Sequence, residues 1–180
     1  MIDLIKGIFE DNFTDYKKTL TQLSYDKDNK ESLCNNNGSL YFDYDKIAEK
    51  YYENVPATPD IIHFKDDNII FIEFKNGKIS RDSDKRKLKL KGIEGAFIVL
   101  HEIVSRELSG QAITFEQLFS VKKQYIIVYN SNKNTRTVPI RKHFTSVQIR
   151  FGLEIYKETF FKSVNTISDS VFTQKVVQIL

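Results

Sequence analysis

Two short apolar runs, at residues 61–64 (IIHF) and 69–74 (IIFIEF), constrain the fold of this chain more than any other feature. Between them stand Lys65, Asp66, Asp67 and Asn68, a polar tetrad with turn chemistry, so the pair predicts a β-hairpin. Alternation puts Ile61, Ile70 and Ile72 on one face and Ile62, Phe64, Ile69 and Phe71 on the other. Strands that are apolar on both faces are central strands, covered on two sides. The hairpin therefore requires other strands beside it and helices above and below it.

The rest of the chain supplies them. Residues 84–108 carry Leu90, Ile93, Phe97, Leu100 and Val104 at three- and four-residue steps, which predicts the strongest helix. Gly92 and Gly95 lower its propensity by about 1 kcal/mol each and suit close packing on a sheet. Residues 125–129 (YIIVY) read as a buried strand. Residues 1–24 read as a helix with a break near Asn12, residues 25–38 as a loop and residues 40–44 as a short strand. Asp45 is the expected cap of a helix reaching Asn54 and ended by Pro56 and Pro59. Beyond a polar loop at 130–136, the pattern predicts a short helix over 150–159, a strand over 160–166, and a last helix capped by Ser168 and ending near Ile179. This order predicts a single α/β (α+β) domain over residues 1–180, a mixed central β-sheet flanked by helices. Its core spans roughly 40–130, with 131–180 as a C-terminal elaboration.

Several function classes fall away. No apolar run approaches the roughly 20 residues of a membrane helix, and residues 1–9 lack the pattern of a signal peptide, so a cytoplasmic protein with no membrane partner is expected. The single cysteine, Cys34, excludes an internal disulfide, and with only three histidines it argues against a thiolate metal site. A Cys–His nucleophile pair is disfavoured because nothing near Cys34 in sequence would lower its pKa. The net charge of +3 and pI near 8.8 decide little, but Lys85, Arg86, Lys87, Lys89 and Lys91 cluster their charge.

The hairpin also gathers chemistry. If Phe64 and Ile69 flank the turn, opposed residues have numbers summing to 133, so Asp60 faces Glu73. Opposed side chains share a face with Cβ atoms about 4.5–5.5 Å apart. Lys75, two residues beyond Glu73, points to that face as well. Like charges beside an apolar core repel and are costly to desolvate. A hard divalent cation would relieve them, polarise a phosphoryl oxygen and activate water, with a lysine to offset developing charge. The plainer alternative is a pair of strand-end carboxylates, one of them ion-paired with Lys75.

At these residues the chain resembles the PD-(D/E)XK nuclease superfamily: Pro59-Asp60, twelve residues, then Glu73-Phe74-Lys75. The resemblance covers roughly residues 40–130 and is specific around 59–75. It implies a restriction-endonuclease-like αβββαβ core, magnesium- or manganese-dependent phosphodiester hydrolysis with DNA as the analogous substrate, and often a homodimer. It transfers Asp60 and Glu73 as metal ligands and Lys75 as the catalytic lysine. Many members add an upstream helical carboxylate; Glu49 is the first candidate, with Glu53 and Glu10 behind it, and each is also readable as a solvated helix residue. Lys87 and Lys91, one turn apart near the helix start, and Arg141, within a group of Arg136, Lys142 and His143, are candidate nucleic-acid contacts; a solvated basic face is the alternative. His63, His143 and His101 read as packed or surface residues. Two other readings stand beside the nuclease: a non-catalytic nucleic-acid-binding or regulatory protein of a defence or mobile-element system that keeps the fold, and a component active only with a protein partner.

Overall fold

A computed structural model describes residues 1–108, 113–134 and 149–180. Arg136, Arg141, Lys142 and His143 lie outside the described residues.

In chain order the elements are α1 (Ile2–Asn12), a 3-10 turn (Thr14–Tyr16), β1 (Lys17–Thr19), α2 (Leu20–Leu23), β2 (Tyr25–Asp26), β3 (Glu31–Ser32), β4 (Leu40–Asp43) and α3 (Tyr44–Ala48). There follow β5 (Ile61–Lys65), β6 (Asn68–Lys75), α4 (Asp82–Ile93), a π-helical stretch (Glu94–Val99), α5 (Leu100–Glu107), α6 (Phe115–Ser120) and β7 (Lys122–Tyr129). A 3-10 turn (Glu154–Tyr156), β8 (Ser163–Ser168) and α7 (Asp169–Ile179) complete the described chain. Six strands form one mixed sheet in the order β1-β4-β5-β6-β7-β8. The first four pair antiparallel, and β6, β7 and β8 run parallel. A mixed α/β architecture with a central sheet flanked by helices is thus present, as the hairpin required.

The hairpin has the expected register: Ile61 pairs with Ile72, Ile62 with Phe71 and Phe64 with Ile69. Pairing continues to Lys65 and Asn68, so the turn proper is only Asp66 and Asp67, with Asp66 at φ +50. A short polar side chain tolerates that conformation better than most. The two faces bury separate cores. On the first, Ile62, Phe64, Ile69 and Phe71 meet Ile5, Phe9 and Phe13 of the N-terminal segment and Leu88, Leu100 and Ile103 of the long helical segment. On the second, Ile61, Ile70, Ile72, Ile126 and Val128 meet Phe172 and Val176 of α7. His63 belongs to this second face, where Nε2 lies 3.2 Å from the Leu180 carbonyl oxygen. His101 Nε2 lies 2.7 Å from the Ile113 carbonyl oxygen.

Several local expectations are corrected. Residues 17–19 are not helix but the sheet's edge strand β1, because Lys17–Thr19 find backbone partners on β4. Thr19 then opens α2 with a reciprocal capping box to Gln22. The loop at 25–38 contains the small β2–β3 pair. The helix after β4 is short, and its cap is Asp43, not Asp45: Asp43 Oδ1 accepts the Lys46 N–H at 3.1 Å. Residues 150–159 form only one 3-10 turn, since Phe151, Gly152 and Glu158 all take positive φ. The next strand begins at Ser163, in parallel register with β7. Ser168 caps α7 by accepting the Val171 N–H. The 163–179 segment therefore supplies an edge strand of the sheet and the cover of its second face.

Candidate active site

Two glycines set the distance between the long helical segment and the sheet. A Cβ at Gly92 would stand 2.8 Å from the Tyr125 ring, and one at Gly95 would stand 2.3 Å from Cδ of Pro59. Both positions exclude a side chain, so the helical segment lies directly on β7 and on the chain leading into β5. Tyr125 Oη donates to the Leu88 carbonyl at 2.9 Å, and Tyr44 Oη donates to the Gly95 carbonyl at 2.7 Å. Glu94 accepts the Ala57 N–H at 2.7 Å. Residues 57–60 are thereby pinned to the helical segment at the point where it becomes π-helical.

Asp60 follows as the last residue before β5. Its carbonyl accepts the Tyr44 N–H at 3.0 Å, and its carboxylate Oδ2 accepts the Phe74 N–H at 2.6 Å. The side chain thus completes a backbone ladder that β5 is too short to continue. Glu73 is on the same sheet face, one position from Phe74, with its side chain 3 % exposed. Between the two carboxylates stands Lys91 of α4. Its Nζ is 2.7 Å from Glu73 Oε2 and 3.5 Å from Asp60 Oδ1.

A third carboxylate is nearby. Because Asp43 caps α3, Asp45 is free to accept a hydrogen bond from Thr58 Oγ1. A cleft of about 290 Å³ lies between Asp45 and Glu49 on one side and residues 55–58 on the other, with Lys91 also in its lining. Burial pushes the Asp45 carboxyl up to about 6, with Lys91 opposing the shift and Asp60 adding to it. Burial also raises the Glu73 carboxyl well above its ordinary range, and the Asp60 charge reinforces it. Asp60 is raised by burial against the pull of Lys91 and the Phe74 N–H. For Lys91 burial works the other way, but Glu73, Asp60 and Asp45 together outweigh it and hold the ammonium above its usual range. Three carboxyls that resist ionisation and one ammonium that resists deprotonation form a single electrostatic unit.

The structure thus brings Asp60, Glu73 and Lys91 together. Lys75 is half-buried on the Glu73 face by strand alternation, yet among the described residues its side chain makes no ion pair with Asp60 or Glu73. It acts instead on Asp84, whose carboxyl is lowered chiefly by its hydrogen bonds to Arg81, with a smaller contribution from Lys75. Glu49 lies on the cleft but pairs with Lys46 at 2.7 Å. Glu10 pairs with Lys17 at 2.5 Å, and Glu53 is exposed. Lys87 is exposed on α4. Cys34 is buried on the second face, and burial pushes its thiol up to about 11, which keeps it un-ionised at neutral pH.

Asp45 and the inward direction of Lys91 escaped the sequence reading. Asp45 reads locally as the helix cap, a role that Asp43 takes, and Lys91 reads as a nucleic-acid contact or as part of a solvated basic face, whereas it points inward to Asp60 and Glu73. Asp60 and Glu73 present carboxylate oxygens, the donor type that hard cations take, Asp45 stands at the cleft, and the cation between Asp60 and Glu73 is the Lys91 ammonium. Among the described residues, no group of three or more His, Cys, Asp or Glu side chains is disposed to hold a metal ion as it stands. No helix among them is long and apolar enough to cross a membrane. No family model, curated protein or solved structure matches the chain.

Proposed function

We propose that this chain is a metal-dependent nuclease that hydrolyses phosphodiester bonds in DNA. The observation that carries the reading is the placing of Asp60 and Glu73 on one largely apolar face of the sheet, sharing a single ammonium, within the string Pro59-Asp60…Glu73-Phe74-Lys75. Buried carboxylates of this kind are costly as a packing solution, since hydrophobic residues of similar volume serve as well or better. Their presence suits a site selected for chemistry.

In this reading Asp60 and Glu73 hold magnesium or manganese, which when bound polarises a phosphoryl oxygen and lowers the pKa of a water. Glu73 is held rigid by β6, and Asp60 by the Phe74 N–H, so their oxygens are pre-positioned. Asp45, whose carboxyl burial pushes up, lines the cleft beside them and is the candidate proton acceptor there. Lys75 adds positive charge on the same sheet face, and Lys87, exposed on α4, is available to a phosphate backbone.

The test is cleavage of supercoiled plasmid, linear duplex and single-stranded DNA with magnesium or manganese. Asp60→Ala and Glu73→Ala should each lower the rate by about two to three orders of magnitude or more, judged by the cost of losing one preorganised charge-stabilising group. Variants as active as the parent chain would sink the proposal. One observation favours a second reading, a non-catalytic nucleic-acid-binding or regulatory protein: Lys91 already neutralises part of the carboxylate charge. Salt-dependent DNA binding without cleavage in either metal would support that reading instead.

A further inference from the structure

Lys91 stands where a cation is needed and is itself a cation. Its Nζ reaches Glu73 Oε2 at 2.7 Å and Asp60 Oδ1 at 3.5 Å, so both carboxylates are committed to one ammonium. The remaining Asp60 oxygen, Oδ2, accepts the Phe74 N–H. A divalent ion bridging Glu73 Oε2 and Asp60 Oδ1 would need the two oxygens that the ammonium now contacts. A metal and an ammonium a few ångströms apart would repel across a partly desolvated space. The helical segment is seated tightly on the sheet, because Gly92 of α4 is closed against Tyr125 and Gly95 of the π-helical stretch against Pro59. Only the Lys91 side chain can move, and it has an exit. It is 26 % exposed and lines the same cleft as Asp45.

We propose that Lys91 is a resident counter-cation: it holds the metal-free carboxylate pair together and must leave the pair for a divalent cation to bind. Lys91 therefore sets the metal affinity of the site, and its departure delivers a positive charge to the cleft only when metal is present. This rests on the reading of Asp60 and Glu73 as metal ligands. It assigns Lys91 a role different from a direct backbone contact on a solvated basic face. Asp45, Asp60 and Glu73 are the charged groups that act on Lys91 in place, and Asp45 and Glu49 share the cleft into which the side chain would withdraw.

The experiment measures manganese binding to the full chain by titration calorimetry at fixed pH, for the parent, Lys91→Met and Asp60→Asn. Lys91→Met should bind manganese at least about tenfold more tightly, which corresponds to an exchange cost of about 1.4 kcal/mol or more. Asp60→Asn should lose the site. A second measurement needs no variant to fold: brief amine acetylation of the parent chain, with Lys91 read against exposed Lys87 by peptide mass spectrometry. Manganese should raise the Lys91-to-Lys87 labelling ratio severalfold, because the ammonium is released from its ion pairs. Unchanged or weaker binding by Lys91→Met, or a labelling ratio that manganese leaves flat or lowers, overturns the displacement. If Asp60→Asn loses manganese while Lys91→Met binds like the parent, displacement falls and the metal-ligand reading survives. If the parent and Asp60→Asn respond identically to manganese, both fall.

Discussion

Lys91 and Lys123 are both withdrawn from water at opposite ends of the parallel strands, and their surroundings differ in one respect. Lys91 faces three carboxyl groups; Lys123, 1 % exposed at the start of β7, faces none. Lys123 donates to the carbonyls of Leu118 and Val121, the latter at 2.9 Å, and lies 4.8 Å from the centre of the Phe97 ring. Its ammonium caps the end of α6, where carbonyls lack intrahelical partners. Yet burial pushes it down to about 8, whereas Lys91 is held above its ordinary value. Carbonyl dipoles and a ring face satisfy hydrogen bonds without supplying the full negative charge that a buried ammonium needs. At the Lys91 end the dependence is mutual, because the carboxylates need the ammonium as much as it needs them. The Lys123 end is a structural cap; the Lys91 end is a charged unit that any change of partner perturbs.

That contrast breaks first, and most visibly, in stability. Lys91→Met leaves buried carboxylates uncompensated and should cost about 3 kcal/mol near neutral pH in metal-free buffer. Lys123→Met removes an ammonium already reluctant to be charged and should stay within about 1 kcal/mol of the parent, its lost capping bonds set against relief of desolvation. Urea unfolding of the two variants side by side decides, and equal losses would erase the distinction. The pH dependence carries the same signature. The folded Lys123 value, about 8, lies below its unfolded value near 10.5, so between them the unfolded chain binds the extra proton. Its contribution to stability should therefore rise from about pH 8 upward, and Lys123→Met should remove that rise between about pH 8 and 10.5. Lys91 has the opposite sign: its raised folded value contributes stability fully present below about 10.5 and lost at higher pH, above that window.

A smaller effect is expected where the charged end is closed sterically. Gly95→Ala would set a methyl 2.3 Å from Pro59 Cδ, and neither the ring nor the helix is free to retreat. Overpacking should cost about 1–3 kcal/mol and outweigh the gain of about 1 kcal/mol in helix propensity. The displaced Pro59 should carry Asp60 with it and lower the proposed cleavage as well. A variant more stable than the parent would show that the closure is not tight. The smallest effect belongs to Lys87, one turn from Lys91 but exposed. Lys87→Ala should change stability by less than about 0.5 kcal/mol. If Lys87 touches a DNA phosphate, the slope of log affinity against log salt becomes shallower by about 0.9; an unchanged slope places the backbone elsewhere.

Much of this protein follows from local sequence. A period-two apolar pattern around a tight polar turn admits one register, so the pairing of residues 61–65 with 68–72, and with it the shared face of Asp60 and Glu73, is legible before any coordinates. The Ser168 cap and the long helical segment are equally local. So is the box from Thr114 to Gln117 that opens α6. Other features are not local. Residues 17–19 become strand only because β4 offers an edge, and residues 150–159 form one 3-10 turn rather than the expected short helix because three of them take positive φ. The decisive side chains also depend on distance in the chain. Lys91 lies 31 residues from Asp60 in sequence, and its inward direction follows from how Gly92 and Gly95 seat α4 on Tyr125 and Pro59. Asp45 reaches the cleft only because Asp43 takes the cap. Sequence alone determined the strand pairing and the two carboxylates, since these depend on neighbours a few residues away. Tertiary structure decided which lysine and which third carboxylate join them, because that depends on the rotation and depth of helices packed across the sheet.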